Sequence, residues 1–174
     1  MDTLFPELFS RETVLVTMDT RATVAQRNPD PDDAQRASLR IVSGPAGVVR
    51  KQQVVTPAVQ PRLASTEVFV LISRQTASAA EHFAFALKQS HRATLIGETT
   101  MGAGNFGKMT PLDKAFTYAA FIPYGRTFDL KTDQGWEGVG VKPDIAVPAA
   151  QALVIALHRS GVRAAEQVAV ASPH

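Results

Sequence analysis

The residues best placed to do chemistry are Thr76-Ala77-Ser78-Ala79-Ala80-Glu81. They follow an apolar run, Val68-Phe69-Val70-Leu71-Ile72, and precede a helical pattern, His82-Phe83-Ala84-Phe85-Ala86-Leu87-Lys88. A serine at such a junction lies on the first turn of a helix, where backbone N–H groups lack partners and the helix dipole favours negative charge. Two readings fit. Ser78 with Glu81 three residues on is the capping-box pattern S-x-x-E. Ser78 is also a candidate nucleophile, with the N–H of Ala79 or of a neighbour as an oxyanion donor. Caps are far commoner than nucleophiles, so the six residues by themselves favour the cap. A serine nucleophile also needs a base within hydrogen-bond reach. By residue type the candidates are Lys88, Lys108, Glu81, Glu98 and Glu137. Lys88 lies ten residues down the same helix, about 15 Å away by helical rise, and is excluded. Glu137 sits in Gly135-Trp136-Glu137-Gly138-Val139-Gly140-Val141, where glycines allow close backbone approach. The bland reading of Glu137 is a loop carboxylate. The G-x-S-x-G elbow of α/β-hydrolases is absent.

Other chemistries fit poorly. The histidines are His82, His91, His158 and His174, without metal-ligand spacing, so no metal and no cofactor is expected. His82 reads as a surface helix residue. The stretch Gly102-Ala103-Gly104-Asn105-Phe106-Gly107 lacks G-K-[ST] and reads as a flexible loop needing positive φ, suited to cover a cleft. The absence of cysteine excludes disulfides and a thiol nucleophile. Net charge is only +2 with scattered cations, so nucleic acid is not an expected partner. No apolar run approaches the ~20 residues of a membrane helix. Met1-Asp2-Thr3-Leu4-Phe5-Pro6 has no basic n-region, so no signal peptide is visible.

The elements that must position Ser78 can be read in order. With 174 residues, 45% of them hydrophobic, the chain is one domain or a large part of one, with a real core. Thr13 to Met18 reads as a strand. Asn28 to Asp33 is turn chemistry. Ser38–Val42 and Val48–Val55 form a hairpin with Arg40, Arg50 and Gln52 facing out. A Pro-bounded connector covers Thr56 to Pro61. Val68–Ile72 reads as a strand buried on both faces. The helix after it places Ala80, Phe83, Ala84 and Leu87 on one stripe. Ala93–Gly97 is a second buried strand, which makes a βαβ unit with a parallel crossover. Phe116–Pro123 is a strand, Tyr124–Gly140 a long irregular segment, and Ala149–Leu157 a helix with Gly161 as its C′ residue. Ala164 to His174 reads as a frayed tail.

Four blocks in this order resemble a known family. They are Val70 to Glu81, Arg92-Ala93-Thr94-Leu95-Ile96-Gly97-Glu98-Thr99-Thr100, Ile122-Pro123-Tyr124-Gly125-Arg126, and Trp136 to Ile145. Together they resemble the tail-specific (C-terminal processing) serine proteases, in the branch typified by interphotoreceptor retinoid-binding protein and the tricorn core protease. The resemblance spans roughly residues 66–160. It implies an α/β fold with a ClpP/crotonase-like spiral core, a mixed sheet with a βαβ unit. It implies Ser78 as nucleophile, the Ala79 N–H at the oxyanion hole and Glu137 as a late catalytic acid. It also implies a peptide or protein substrate and favours a periplasmic or secreted setting.

The departures shape the expectation. In the family's other branch a Lys twenty-five residues after the serine is the base; here that position is Ala103. The related branch draws a His from well before the nucleophile, and no His precedes Ser78. The Gly-rich oxyanion stretch and the PDZ-type domain are not recognisable. The chain therefore reads as a lead-in with a hairpin (1–65), a protease core region (66–163) and a tail (164–174), lacking the N-terminal part of the core. A missing upstream domain or a homo-oligomer formed by strand exchange is expected to cover the open sheet edge. The alternative is a non-catalytic module binding peptides or apolar ligands. An acyl-CoA enzyme on the related fold is disfavoured by the Ser78 block.

Overall fold

The computed structural model describes residues 1–27 and 37–161. The expected loop at 28–33 and the tail at 164–174 lie outside them. The elements in order are α1 (Phe5–Leu8), β1 (Thr13–Arg21), α2 (Ala22–Arg27), β2 (Leu39–Val42), β3 (Val48–Val55), β4 (Phe69–Ile72), α3 (Ala79–Gln89), β5 (Thr94–Gly97), β6 (Asn105–Pro111), β7 (Ala119–Phe128), β8 (Ile145–Ala146) and α4 (Ala149–Arg159). Among the described residues no helix is long and apolar enough to cross a membrane.

The strands form two sheets. One is five-stranded and antiparallel, in the order β2-β3-β1-β7-β6. The other is parallel, in the order β4-β5-β8, with Phe69 opposite Thr94 and Ile96 opposite Ile145. The βαβ unit β4-α3-β5 is present as the apolar runs predict. Alternation along β5 sends successive side chains to opposite faces. Leu95 joins the core with Ala84, Phe85, Leu87 and Trp136, while Ile96 packs with Ala152 and Ala156 of α4. Helices thus cover both faces of the small sheet, as a parallel sheet requires. Phe5, Leu8 and Phe9 of the first segment are buried in the larger core, with Phe5 stacked on Phe83 at 5.5 Å.

The structure corrects several expectations. β4 is not buried on both faces: it is an edge strand, and Leu71 is 44% exposed. The segment 124–140 is not wholly irregular. β7 runs on to Phe128 because Gly125–Phe128 pair with Thr17–Thr20 of β1, a long-range bond set that local pattern cannot display. Likewise Asn105–Pro111 is a strand, paired along β7, although its glycines suggested only a loop. Arg50 does not face water. Its guanidinium forks onto the buried Asp19 at 2.6 and 2.7 Å. Ala80 is exposed, while Glu81 is fully buried, so the buried face of α3 includes a charge that periodicity would place outside.

Gly97, at φ 135°, sits where β5 meets β4, and an added Cβ would overlap the Ile72 carbonyl oxygen. Gly97→Ala should therefore lower unfolding free energy by on the order of 3 kcal/mol in denaturant titration. A loss below ~1 kcal/mol would mean that the two strands separate without cost.

Candidate active site

The turn before α3 is held locally. Thr76 N–H donates to the Ser73 carbonyl at 3.0 Å, and the Thr76 hydroxyl accepts the Ser73 N–H at 3.0 Å. The chain then reaches Ser78 at φ 53°, ψ −117°. An ordinary N-cap residue has β-region dihedrals. This conformation is nearly closed to non-glycine residues and costs about 1–3 kcal/mol. A sharp, strained strand-to-helix turn is the device that presents a nucleophilic serine in other folds.

Glu81 holds this turn. Its carboxylate accepts four hydrogen bonds: Ser78 N–H at 2.8 Å, the Thr100 hydroxyl at 2.5 Å, Gly102 N–H at 2.6 Å and Ala103 N–H at 2.9 Å. The capping-box bond is thus one of four, and the other three come from a loop about twenty residues on. Thr100 Oγ1 in turn accepts Val141 N–H at 2.7 Å, which ties in the segment around Glu137. The Gly-rich loop is therefore pinned, contrary to the sequence reading of a flexible cover. Glu137 accepts Gly104 N–H and Asn105 N–H, both at 2.7 Å.

A cavity of about 470 Å³ opens beside Ser78. Ser78, Ala79, His82, Ala103, Asn105 and Trp136 line it, among others. His82 was not legible as a site residue, and the surface reading of it is wrong. It lies one turn after Ser78 on α3, half-buried, with Nε2 2.8 Å from the Gln53 side-chain oxygen on β3 and its ring near Trp136. The i, i+4 spacing from Ser78 was the available signal. Burial, reinforced by the nearby N-terminal ammonium, lowers its pKa to about 4. The imidazole is neutral at pH 7 but a weak proton acceptor there.

None of the bases expected from the sequence is among the residues lining the cavity. Lys88 donates to the Lys142 carbonyl and to Asp144, at 2.8 and 2.6 Å. Glu98 pairs with Arg74 at 3.5 Å. Lys108 is exposed on β6. Glu81 is saturated with donors.

Comparison with known proteins fits this arrangement. The model of peptidase family S41 matches residues 6–147. The chain belongs to peptidase family S41. Solved structures with the same fold include mature CPAF complexed with lactacystin (TM-score 0.61, 17% identity, covering 92% of this chain and 40% of that one). The photosystem II D1 C-terminal processing protease gives 0.53 at 20% identity, covering 83% and 30%. A putative peptidase from Parabacteroides merdae gives 0.53 at 16%, covering 84% and 39%. This S41 chain thus spans well under half the length of those structures.

The His82 pKa has a measurable consequence. An unfolded imidazole titrates near 6.5. Its pKa is lower in the folded state, so stability from the neutral ring is complete above pH ~6.5. It is lost as pH falls toward about 4, by up to about 3 kcal/mol. His82→Gln should flatten the stability curve in that window. An unchanged slope would show that the folded protein protonates His82 freely.

Proposed function

We propose that this chain is the core of a serine peptidase in which Ser78 Oγ is the nucleophile. The observation that carries the reading is the strained backbone of Ser78 on the wall of the cavity. A cap needs no such strain, whereas a sharp turn that presents a serine to a cavity does. Family S41 membership supports the same reaction class. Ser78 Oγ attacks a substrate peptide carbonyl while a base takes its proton. The Ala79 N–H, at the unsatisfied first turn of α3, donates to the oxyanion. Collapse expels the amine with a proton, and water then releases the acyl group. Glu137, the late acid that the resemblance implies, serves the site by holding the Gly104 and Asn105 N–H groups at the cavity wall. The substrate is a peptide or protein.

The base is the weak point of this chain. His82 shares the cavity but holds its proton poorly, and the family's lysine position is Ala103, which lines the same cavity. That supports a second reading, a non-catalytic module in which the cavity binds a peptide or apolar ligand. The two are separable. Labelling of Ser78 by a fluorophosphonate should be slow in the native chain, and Ala103→Lys should accelerate it by about tenfold or more, within the range of positioned general bases. Fast labelling of the native chain would overturn the missing base. No labelling of either protein would favour the binding module.

Ser78→Gly tests the strain separately. It should abolish labelling and raise stability by about 1 kcal/mol, because glycine accepts positive φ. At an ordinary N-cap the same change costs a few tenths of a kcal/mol, so a stability loss would return Ser78 to a capping role.

A further inference from the structure

Four consecutive backbone N–H groups, those of Gly102, Ala103, Gly104 and Asn105, all end on carboxylates. Glu81 takes the first two at 2.6 and 2.9 Å, and one oxygen of Glu137 takes the last two at 2.7 Å each. Charge-assisted bonds of this kind are roughly twice as strong as neutral ones. The two acids come from different parts of the fold, the first turn of α3 and the segment before β8. The loop between them supplies Ala103, Gly104, Asn105 and Phe106 to the cavity that also holds Ser78.

We propose that Glu137 is a positioning residue that acts with Glu81 as a two-carboxylate clamp, fixing the 102–105 backbone as the wall of the substrate cleft. The proposal rests on Ser78 as the reacting group only for its functional consequence; the clamp itself stands on its hydrogen bonds.

Three features direct Glu137 to the loop rather than to the reacting atoms. Its neighbour Trp136 lines the cavity, but its own carboxylate is turned onto two backbone N–H groups. Gly104 is fitted to this contact, since a Cβ there would lie 2.8 Å from the Glu137 nitrogen. Gly138 N–H donates back to the Gly102 carbonyl at 2.8 Å, so the two segments are laced on both sides of the carboxylate. A consequence follows for the chemistry. The loop amides are committed to carboxylates and are not oxyanion donors. They set the shape against which substrate side chains rest. Loss of Glu137 therefore impairs recognition of an extended peptide more than attack on a small electrophile.

The test compares the native chain with Glu137→Ala and Glu137→Gln. Amide hydrogen exchange resolved at single residues is the first readout. Glu137→Ala should speed exchange at Gly104 and Asn105 by about tenfold or more, as loss of charged hydrogen bonds implies, with a smaller effect at Gly102 and Ala103. Glu137→Gln, which keeps a neutral acceptor, should restore part of the protection. Unchanged exchange in Glu137→Ala overturns the clamp. The second readout is the rate of Ser78 labelling by a peptidyl phosphonate, divided by that of a small fluorophosphonate. The ratio should fall in Glu137→Ala and recover in part in Glu137→Gln. An equal fall in both rates overturns the positioning role and assigns Glu137 to the reacting atoms. If neither reagent labels Ser78 in any of the three proteins, the peptidase reading fails, while the exchange rates still decide the clamp.

Discussion

The Glu81 carboxylate is the interaction on which the site depends. It is buried, and it is matched by four donors from two segments that are distant in sequence. An isolated carboxylate in such a place would be very costly. Here each donor also removes a backbone or hydroxyl group from the set of unsatisfied ones, so the site is stable only when assembled as a whole. That makes the start of α3, the loop after β5 and the Trp136–Val141 segment one cooperative unit. The Ser78 turn and the 100–103 loop, which look independent along the chain, share the Glu81 acceptor, and Thr100 ties in the third segment through Val141 N–H.

The same unit explains how a strained serine persists. A residue at φ 53°, ψ −117° relaxes unless its surroundings over-determine it. The Ser78 N–H is fixed by Glu81, and the Ser78 carbonyl accepts the His82 N–H at 2.9 Å as α3 begins. Packing of α3 behind it, through Ala84, Phe85 and Leu87, anchors the helix that carries both bonds. Core burial thus sustains local strain at the cavity wall. The two acids of the site are structural in their contacts, and what they organise is backbone.

The small parallel sheet places this unit, and the larger antiparallel sheet closes the cavity from the other side through Gln53 of β3, Phe106 of β6 and Thr127 of β7. The cavity is therefore made between the two sheets, near the end of β4. Ligand sites outside the carboxyl ends of parallel strands follow the same geometry in other open sheets.

The sequence by itself determined the βαβ unit, the hairpin of β2 and β3, the C-terminal helix and the Ser78 block. Each rests on a local signal: an apolar run, an alternation, a helical stripe or a capping pattern. The order of the four blocks also carried the family. Only the tertiary structure decided what Glu81 does. An S-x-x-E pattern specifies one hydrogen bond, and the other three partners lie near residue 100. The extent of β7, the buried Asp19–Arg50 pair and the exposure of Leu71 were hidden for the same reason, since each depends on which strand becomes a neighbour and which becomes an edge. His82 was misread because its burial comes from Gln53 and Trp136, both remote in the chain. Residue types and spacing could name Ser78 as a candidate. Its backbone strain, and the carboxylates that hold the cleft around it, exist only once the segments meet.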